Sequence, residues 1–341
     1  MFDNEGMWPE MRVVEAKSFG GPDVLVPGEA PDPVAGAGEV VVDVAAADVM
    51  FLDTRLRDGS GVNYFPVQTP YVPGGSVSGV VSAVGPGVDP AWAGKRVIAR
   101  TAASAIGGGV PTGGYAERAL AQADALLEVP EGLDLVQAAA LVADGRTAVA
   151  VAEFADPKPG EWVLITAAAG GLGTLLIQLA RAAGARVVAA ARGEAKLALA
   201  QRLGAEAVVD YDEYGWADQV LALTGGTGVQ VVFDGAGGPI GIDALGAVAP
   251  GGRFLGYGNA AGGFAAISAE SAAASGVAVT MLPDLLRADI DWAAAGRRAL
   301  AEAAAGKLEV VVGQTFQLAD AAAAHAAIES RTAIGRTILT V

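Results

Sequence analysis

The chain has 341 residues, of which 52% are hydrophobic and 18% are charged, and its formal net charge is −16. These proportions are typical of a folded globular protein, and the length is sufficient for two domains. Proteins that bind a nucleic-acid backbone need a basic surface, so the acidic balance argues against a nucleic-acid partner.

Residues that build metal and redox sites are scarce. The sequence has no cysteine and a single histidine, His325. Disulfides, thiolate catalysis and cysteine-ligated zinc or iron–sulfur sites are therefore excluded. A catalytic zinc usually needs two or three histidines, or histidines with carboxylates, so we expect no metal site. We expect His325 to be an ordinary helix residue, either packed or solvated.

The first ten residues are mixed and acidic, without the basic and apolar segments of a signal peptide. No run of about 18 apolar residues is free of charges or of glycine and proline breaks. We therefore expect a cytoplasmic protein without a membrane span.

The chain from residue 11 to residue 133 consists of short β-branched runs separated by glycine and proline. Runs at 40–44, 79–84 and 95–99 predict strands, and the turn residues between them recur at short intervals. Regularly spaced strands of this kind favour a partly open β-barrel domain.

From residue 134 onward, predicted strands alternate with predicted helices. Strands are predicted at Trp162–Thr166, Arg186–Ala191, Val229–Asp234 and 253–257, with helices at 171–183, 194–203 and Trp216–Leu223. This alternation is the pattern of a doubly wound parallel sheet. After residue 281 the sequence predicts helices at 292–305 and 320–330 and strands at 310–312 and Arg336–Thr340.

The strongest motif lies between the first strand of this sheet and the helix that follows it. It reads Ala168-Ala169-Gly170-Gly171-Leu172-Gly173, a GxGxxG fingerprint with Ala168 in place of the first glycine. Gly170 would let a pyrophosphate approach the backbone, Gly173 would let the helix pack on the strand, and the helix N-terminus favours phosphate. The alternative is a tight strand–helix turn that binds no ligand.

The end of the second strand indicates which dinucleotide is bound. NAD enzymes place an acidic residue there for the ribose hydroxyl, whereas this chain has Arg192 and, one helical turn later, Lys196. Cations at this position suit a 2′-phosphate, so the pattern favours NADPH. The alternative is that both cations are merely solvated.

These motifs belong to an ordered set that resembles a known family. The set is FLDT at 51–54, VPG at 72–74, GGYAE at 113–117, GRTA at 145–148, AAAGGLG at 167–173, LGA at 203–205, DY at 210–211, YGN at 257–259 and ESR at 329–331. The chain resembles the zinc-free quinone oxidoreductase branch of the medium-chain dehydrogenase/reductase superfamily. The resemblance implies a GroES-like β-barrel catalytic domain (11–133), interrupted by a Rossmann domain (134–281) and completed by a return segment (282–341). It also implies a homodimer, or a tetramer built from dimers.

The resemblance implies further roles for individual residues. Tyr211 and Arg331 match positions that hold the 2′-phosphate, and Thr147 and Asn259 match positions near the nicotinamide. Zinc-dependent relatives carry Gly-His-Glu where this chain has Gly74-Gly75-Ser76, which agrees with the expectation that no metal site is present.

The predicted catalytic region departs from the family. Three residues before Asp53 the family often has Asn or Tyr, and this chain has Met50, which cannot donate a useful hydrogen bond. Tyr64 is the best candidate for the missing donor, although it could equally be a residue of the pocket rim. Asp53 and Arg55 fall near the expected pocket, and Asp53 is more often structural. Tyr115 is expected in the barrel core.

The sequence thus predicts an NADPH-dependent reductase without a metal. Its acceptor would be a quinone or the conjugated double bond of an enone or enal, because such acceptors delocalise the charge that hydride addition creates. The alternative is an NADPH-binding protein with a structural or interaction role.

Overall fold

A computed structural model describes residues 10–62, 66–101 and 112–341 of the chain. The chain divides into two compact units. The first contains the residues up to Ala143 together with Val312–Val341, and the second is Asp144–Val311.

The first unit is built mainly from antiparallel strands. They are β1 (Glu10–Ala16), β2 (Leu25–Pro31), β3 (Glu39–Val49), β4 (Ser76–Val84), β5 (Arg96–Arg100), β6 (Arg118–Gln122) and β7 (Leu127–Glu128), with β14 (Val312–Gln317) and β15 (Arg336–Thr340) from the end of the chain. β1 and β2 form a hairpin. The others form a sheet in the order β14-β15-β3-β4-β5-β7, with β6 paired to β3.

Short helices lie beside this sheet. They are α1 (Phe51–Arg57), α2 (Leu135–Leu141) and α11 (Ala321–Glu329). α2 packs against β3 and β4, and α11 packs against α1, β14 and β15. The apolar core contains side chains from β1, β3, β4 and β6 together with Tyr115 and the first residues of α11. The end of the chain therefore completes the core that the beginning starts.

The second unit is a parallel α/β sheet. Its strands are β8 (Trp162–Thr166), β9 (Arg186–Ala191), β10 (Ala207–Asp210), β11 (Val229–Asp234), β12 (Val248–Gly256) and β13 (Ala278–Met281), and its helices are α3 (Asp144–Ala155), α4 (Gly171–Ala182), α5 (Glu194–Arg202), α6 (Trp216–Leu223), α7 (Gly238–Gly246), α8 (Ala269–Ser275), α9 (Leu282–Leu285) and α10 (Trp292–Ala304). The strand order is β10-β9-β8-β11-β12-β13, and every pair is parallel.

The order of this sheet reverses direction between β8 and β11. All five residues of β8 are buried, as expected for a central strand that is covered by helices on both faces. Ligands of such sheets bind at the carboxyl ends of the strands, at the point where the order reverses. The fold class predicted from the sequence, a GroES-like unit with a doubly wound Rossmann unit, is confirmed.

Two details of the last segment differ from the sequence prediction. Helix α10 packs against α3, and the second unit accordingly extends to Val311 rather than to residue 281. The strand expected at 310–312 instead runs from Val312 to Gln317, where it pairs with β15. Local hydrophobicity indicated a strand near this point but could not show where its partner begins.

In the part of the chain that the structure describes, no single helix is long and apolar enough to cross a membrane. One bent pair of consecutive helices, Leu135–Leu141 and Asp144–Ala155, reaches the required length and composition only when both helices are counted together.

Candidate functional site

The turn between β8 and α4 carries the predicted dinucleotide motif. α4 begins after the exposed Gly170, and the Thr174 N–H donates to the Gly170 carbonyl at 2.9 Å. A Cβ added to Gly173 would lie 2.7 Å from the carbonyl oxygen of Ala167, so helix and strand can pack only if this residue is glycine. A Cβ added to Gly170 would have no neighbour closer than 3.3 Å. The two glycines therefore serve different purposes.

The N-terminus of α4 is suited to bind an anion. The N–H groups of Gly171, Leu172 and Gly173 precede the first hydrogen bond of the helix, so they have no carbonyl partner within it. They lie at the positive end of the helix dipole. Ala168, which replaces the first glycine of the fingerprint, is fully buried next to β8.

The cation predicted at the end of β9 is held by an acidic turn. Arg192 Nη2 donates to Asp212 Oδ1 at 2.9 Å, and this bond raises the pKa of the guanidinium. Asp210 orders the turn, because its carboxylate accepts the N–H groups of Gly193 at 2.8 Å and of Asp212 at 2.9 Å. The sequence pattern indicates Arg192 but not Asp212, which is 20 residues away along the chain.

Two other predicted phosphate ligands belong to the same region of the second unit. Lys196 lies in the first turn of α5 and is half-buried. Tyr211 follows β10, and its ring packs edge-on against Trp216 with 6.4 Å between the ring centroids. The structure thus gathers Arg192, Lys196 and Tyr211 at the ends of β9 and β10.

A buried hydrogen-bond cluster occupies the carboxyl ends of β8 and β11. Asp234 Oδ1 accepts from the Thr166 hydroxyl at 2.6 Å and from the Gly237 N–H at 3.1 Å. The hydroxyl of Thr166 in turn accepts the N–H groups of Gly235 and Ala236. Burial raises the pKa of Asp234, an effect these hydrogen bonds partly oppose. The cluster fixes the backbone where the strand order reverses, and no motif in the sequence indicates it.

The two residues expected near a nicotinamide also lie in the second unit. Asn259 follows β12, and its carbonyl accepts the N–H groups of Gly262 and Gly263 in a tight turn. This turn packs against the end of β11, because a Cβ on Gly237 would lie 2.2 Å from the Gly263 oxygen. Thr147 lies in the first turn of α3 and is half-buried.

Asp53 is a buried structural anchor rather than an exposed acid. It is 1% exposed, and its Oδ2 accepts the Met50 N–H at 2.8 Å. It also receives a backbone hydrogen bond from Gly74. Burial raises its pKa to about 7, which the hydrogen bonds from Met50 and Gly74 oppose. Asp53 therefore connects the start of α1 to the turn that precedes β4.

The remaining candidates of the first unit are dispersed. Arg55 is exposed and forms an ion pair with Asp58 at 3.0 Å. Arg331 follows α11 with a φ of 58°, in the left-handed region. Tyr64 lies outside the described residues. The predicted core position of Tyr115 is confirmed, and His325 is packed rather than solvated, since neither residue has exposed surface.

No group of three or more His, Cys, Asp or Glu side chains is arranged to hold a metal among residues 10–62, 66–101 and 112–341. At the position of the zinc relatives' Gly-His-Glu, Gly74 has a φ of +91° and contacts Tyr115 so closely that a Cβ would lie 2.4 Å from its ring.

Comparison with known proteins agrees with this architecture. Residues 36–131 match the family described as "Alcohol dehydrogenase GroES-like domain", and residues 171–293 match "Zinc-binding dehydrogenase". A "2-haloacrylate reductase" from Burkholderia sp. is 35% identical over 94% of this chain and 96% of its own length. The chain belongs to the medium-chain dehydrogenase/reductase superfamily. Within this superfamily it falls in the quinone oxidoreductase-like branch.

Other members of the superfamily are similar over nearly their whole length. The "Quinone oxidoreductase" of Pseudomonas aeruginosa is 31% identical over 96% of this chain and 98% of its own. The structure of Escherichia coli quinone oxidoreductase complexed with NADPH is matched with a TM-score of 0.87 and 29% identity, over 97% of this chain and all of that one. A mycobacterial protein complexed with NADPH is matched with a TM-score of 0.86 and 33% identity, over 97% of this chain and 100% of that one.

Proposed function

We propose that this oxidoreductase is an NADPH-dependent reductase that transfers hydride, without a metal, to a quinone or to the conjugated double bond of an enone or enal. The observation that carries the proposal is the glycine turn at the N-terminus of α4, with a cation at the end of the next strand. The two similar structures that contain NADPH, and the relatives named quinone oxidoreductase and 2-haloacrylate reductase, support it.

The residues of the second unit fit the cofactor. The free N–H groups at the start of α4 suit the pyrophosphate. The absence of a Cβ at Gly173 lets the helix pack tightly against its strand. Arg192, Lys196 and Tyr211 would hold the 2′-phosphate, with Arg331 as a further proposed contact. Thr147 and Asn259 would contact the nicotinamide end. When bound, NADPH supplies the hydride.

The 2′-phosphate would compete with an acid for its principal cation. In the structure, Arg192 already donates to Asp212. A phosphate that binds here must share or displace this carboxylate, and repulsion between the two anions weakens binding. We therefore propose that Asp212 moderates the preference for NADPH over NADH instead of abolishing it.

At the proposed acceptor end, position 50 does not carry a side-chain hydrogen-bond donor. Met50 cannot donate through its side chain, and its N–H is already bonded to Asp53. An acceptor oxygen that gains charge during hydride addition needs a hydrogen-bond donor. We propose that Tyr64 is this donor and that the surface near Met50 accommodates the apolar body of the acceptor. Asp53 acts by accepting hydrogen bonds from the backbone N–H groups of Met50 and Gly74. Arg55 lies in α1, and its side chain is exposed.

The proposal is tested by following NADPH oxidation against quinones, enones, enals and 2-haloacrylate, with NADH in parallel. Turnover of one class with NADPH preferred supports the reductase and identifies its acceptor. Arg192→Ala should weaken NADPH binding by about tenfold and leave NADH binding unchanged. Tight NADPH binding without turnover of any acceptor would contradict the reductase and favour a non-redox role.

We also propose that the protein forms a homodimer. β13 is the last strand of the parallel sheet, and its outer edge has no partner strand among the described residues. An exposed sheet edge presents unpaired N–H and C=O groups with which a strand of a second chain can pair. Light scattering on a size-exclusion column tests this proposal, and a monomer at micromolar concentration would contradict it.

A further inference from the structure

The single histidine of the chain lies in a buried contact with a tyrosine. Tyr115 Oη and His325 Nε2 are 2.9 Å apart, although the residues are 210 positions apart in sequence. Their rings meet edge-on, with 5.7 Å between centroids and 89° between planes. Neither side chain is exposed. Burying polar groups in an apolar core is unfavourable unless they form hydrogen bonds, and this contact supplies a partner to both side chains.

The direction of this hydrogen bond follows from the chemistry of the two groups. Burial and the nearby Arg57 lower the pKa of His325 to about 3, so the imidazole is neutral. A phenol is a stronger acid than a neutral imidazole N–H, and an imidazole nitrogen is the stronger acceptor. The Tyr115 hydroxyl therefore donates to Nε2. The proton of the imidazole is then on Nδ1, which has no hydrogen-bond partner in the described chain.

Tyr115 supports the turn that precedes β4. Its N–H donates to the Pro73 carbonyl at 2.9 Å, and its ring occupies the space where Gly74 would otherwise carry a Cβ. The Gly74 N–H bonds to Asp53, which also holds the Met50 N–H. A displacement of the Tyr115 ring would thus be transmitted through this turn to the start of α1.

His325 connects the same region to the far end of α1. It lies in α11, and this helix also carries Glu329, which forms an ion pair with the buried Arg57 of α1. Arg57 is 1% exposed. The contacts therefore form a closed ring from α1 through the 73–75 turn, Tyr115 and α11 back to α1.

We propose that Tyr115 and His325 are positioning residues for the reduction. Their hydrogen bond fixes the 73–75 turn and the start of α1, including Met50, in the arrangement that binds the acceptor. This inference rests on the proposed function. An apolar pair of the same size would fill the core without any desolvation penalty, so the hydrogen bond contributes geometry more than stability.

The test compares Tyr115→Phe with a control in the same core. The Tyr71 hydroxyl is buried and has no hydrogen-bond partner among the described residues, so Tyr71→Phe removes an equivalent group without breaking a bond. Tyr115→Phe should lower kcat for the acceptor by about tenfold. The Kd of NADPH should stay unchanged in both variants, and Tyr71→Phe should keep wild-type kcat. Wild-type kcat in Tyr115→Phe would overturn the inference.

Variants of the histidine separate the hydrogen bond from simple packing. The carbonyl of Gln can accept from Tyr115 and the side chain of Leu cannot, so His325→Gln should retain more activity than His325→Leu. The double variant Tyr115→Phe/His325→Leu should be no slower than the slower single variant, because both remove the same bond. If the decrease in kcat of the double variant equalled the product of the two single decreases, the two residues would not act through the same hydrogen bond.

A spectroscopic test does not depend on turnover. The chain has five methionines, so a protein labelled with ¹³C at the methionine methyl groups gives few signals. The Met50 methyl signal should shift in Tyr115→Phe and stay in place in Tyr71→Phe. If the wild-type enzyme reduces no acceptor, the proposed function fails, whereas an unshifted Met50 signal shows that the positioning inference fails.

Discussion

Replacing His325 by Gln should change how the stability of the first unit depends on pH. In the folded protein the pKa of this histidine is lowered from 6.5 to about 3, because burial and Arg57 disfavour the imidazolium. The unfolded chain takes up a proton near pH 6.5 and the folded chain does not. The stability contributed by the neutral histidine is therefore complete above pH 6.5 and is lost progressively as the pH falls towards 3.

The expected magnitude follows from this difference in pKa. Each pH unit below 6.5 lowers the free energy of unfolding by roughly 1.4 kcal/mol, so the loss at pH 5 is about 2 kcal/mol. Gln does not titrate. The free energy of unfolding of the wild type minus that of His325→Gln should therefore fall by about 2 kcal/mol between pH 7.5 and pH 5.

Hydrogen exchange at increasing urea concentrations measures this quantity for one unit at a time. Peptides from β3 and β4 report the unfolding of the first unit separately from the second. Asp53→Asn is a control of opposite sign, because the pKa of Asp53 is raised to about 7 and its contribution is lost as the pH rises from 3.8 to 7. A difference between wild type and His325→Gln that is constant from pH 7.5 to pH 5 would refute the reasoning.

Three further predictions concern single side chains. Gly173→Ala should destabilise the second unit by about 2 kcal/mol through overpacking, whereas Gly170→Ala should keep Tm and weaken NADPH binding in a fluorescence titration; equal losses of Tm would contradict this. Asp212→Asn frees the guanidinium beside it and should tighten NADPH binding by about fivefold without changing NADH binding, which calorimetry can measure. Gly74→Ala should cost more than about 3 kcal/mol in urea unfolding, because its Cβ meets the Tyr115 ring. The control Gly87→Ala, with φ +82° and no atom within 4 Å, should cost about 1–2 kcal/mol.

Much of the second unit could be predicted because its information is local. β8 and β9 are mostly apolar, and the glycines between β8 and α4 have a fixed spacing that is visible in the sequence. The crowding at Gly173 then gave a physical reason for a residue that the motif had already indicated. The strands are buried on both faces, and such strands have the clearest sequence pattern.

The features that could not be predicted depend on residues far apart in sequence. Nothing local to Arg192 indicates that Asp212 holds its guanidinium, and nothing local to His325 indicates Tyr115. The end of the second unit at Val311 depends on α10 packing against α3, which is a tertiary contact. The role of Asp53 was ambiguous in the sequence, because an acid near an expected pocket can bind either substrate or backbone.

Because Met50 stands where the family often has a hydrogen-bond donor, the contacts around Met50 become more important for orienting the acceptor in the proposed reaction. Where the family often has Asn or Tyr, the side chain itself can orient an acceptor through a directed hydrogen bond. Met50 cannot do so, and Asp53 occupies its N–H. Apart from the hydrogen bond that we propose for Tyr64, orientation then depends on the shape of the surface, and therefore on where the 73–75 turn and the start of α1 lie. A rate that depends on shape is sensitive to displacements well below the length of a hydrogen bond. For this reason the buried contact between Tyr115 and His325 should influence kcat more strongly here than in a relative that keeps the donor. Restoring the donor with Met50→Asn should reduce the effect of Tyr115→Phe on kcat.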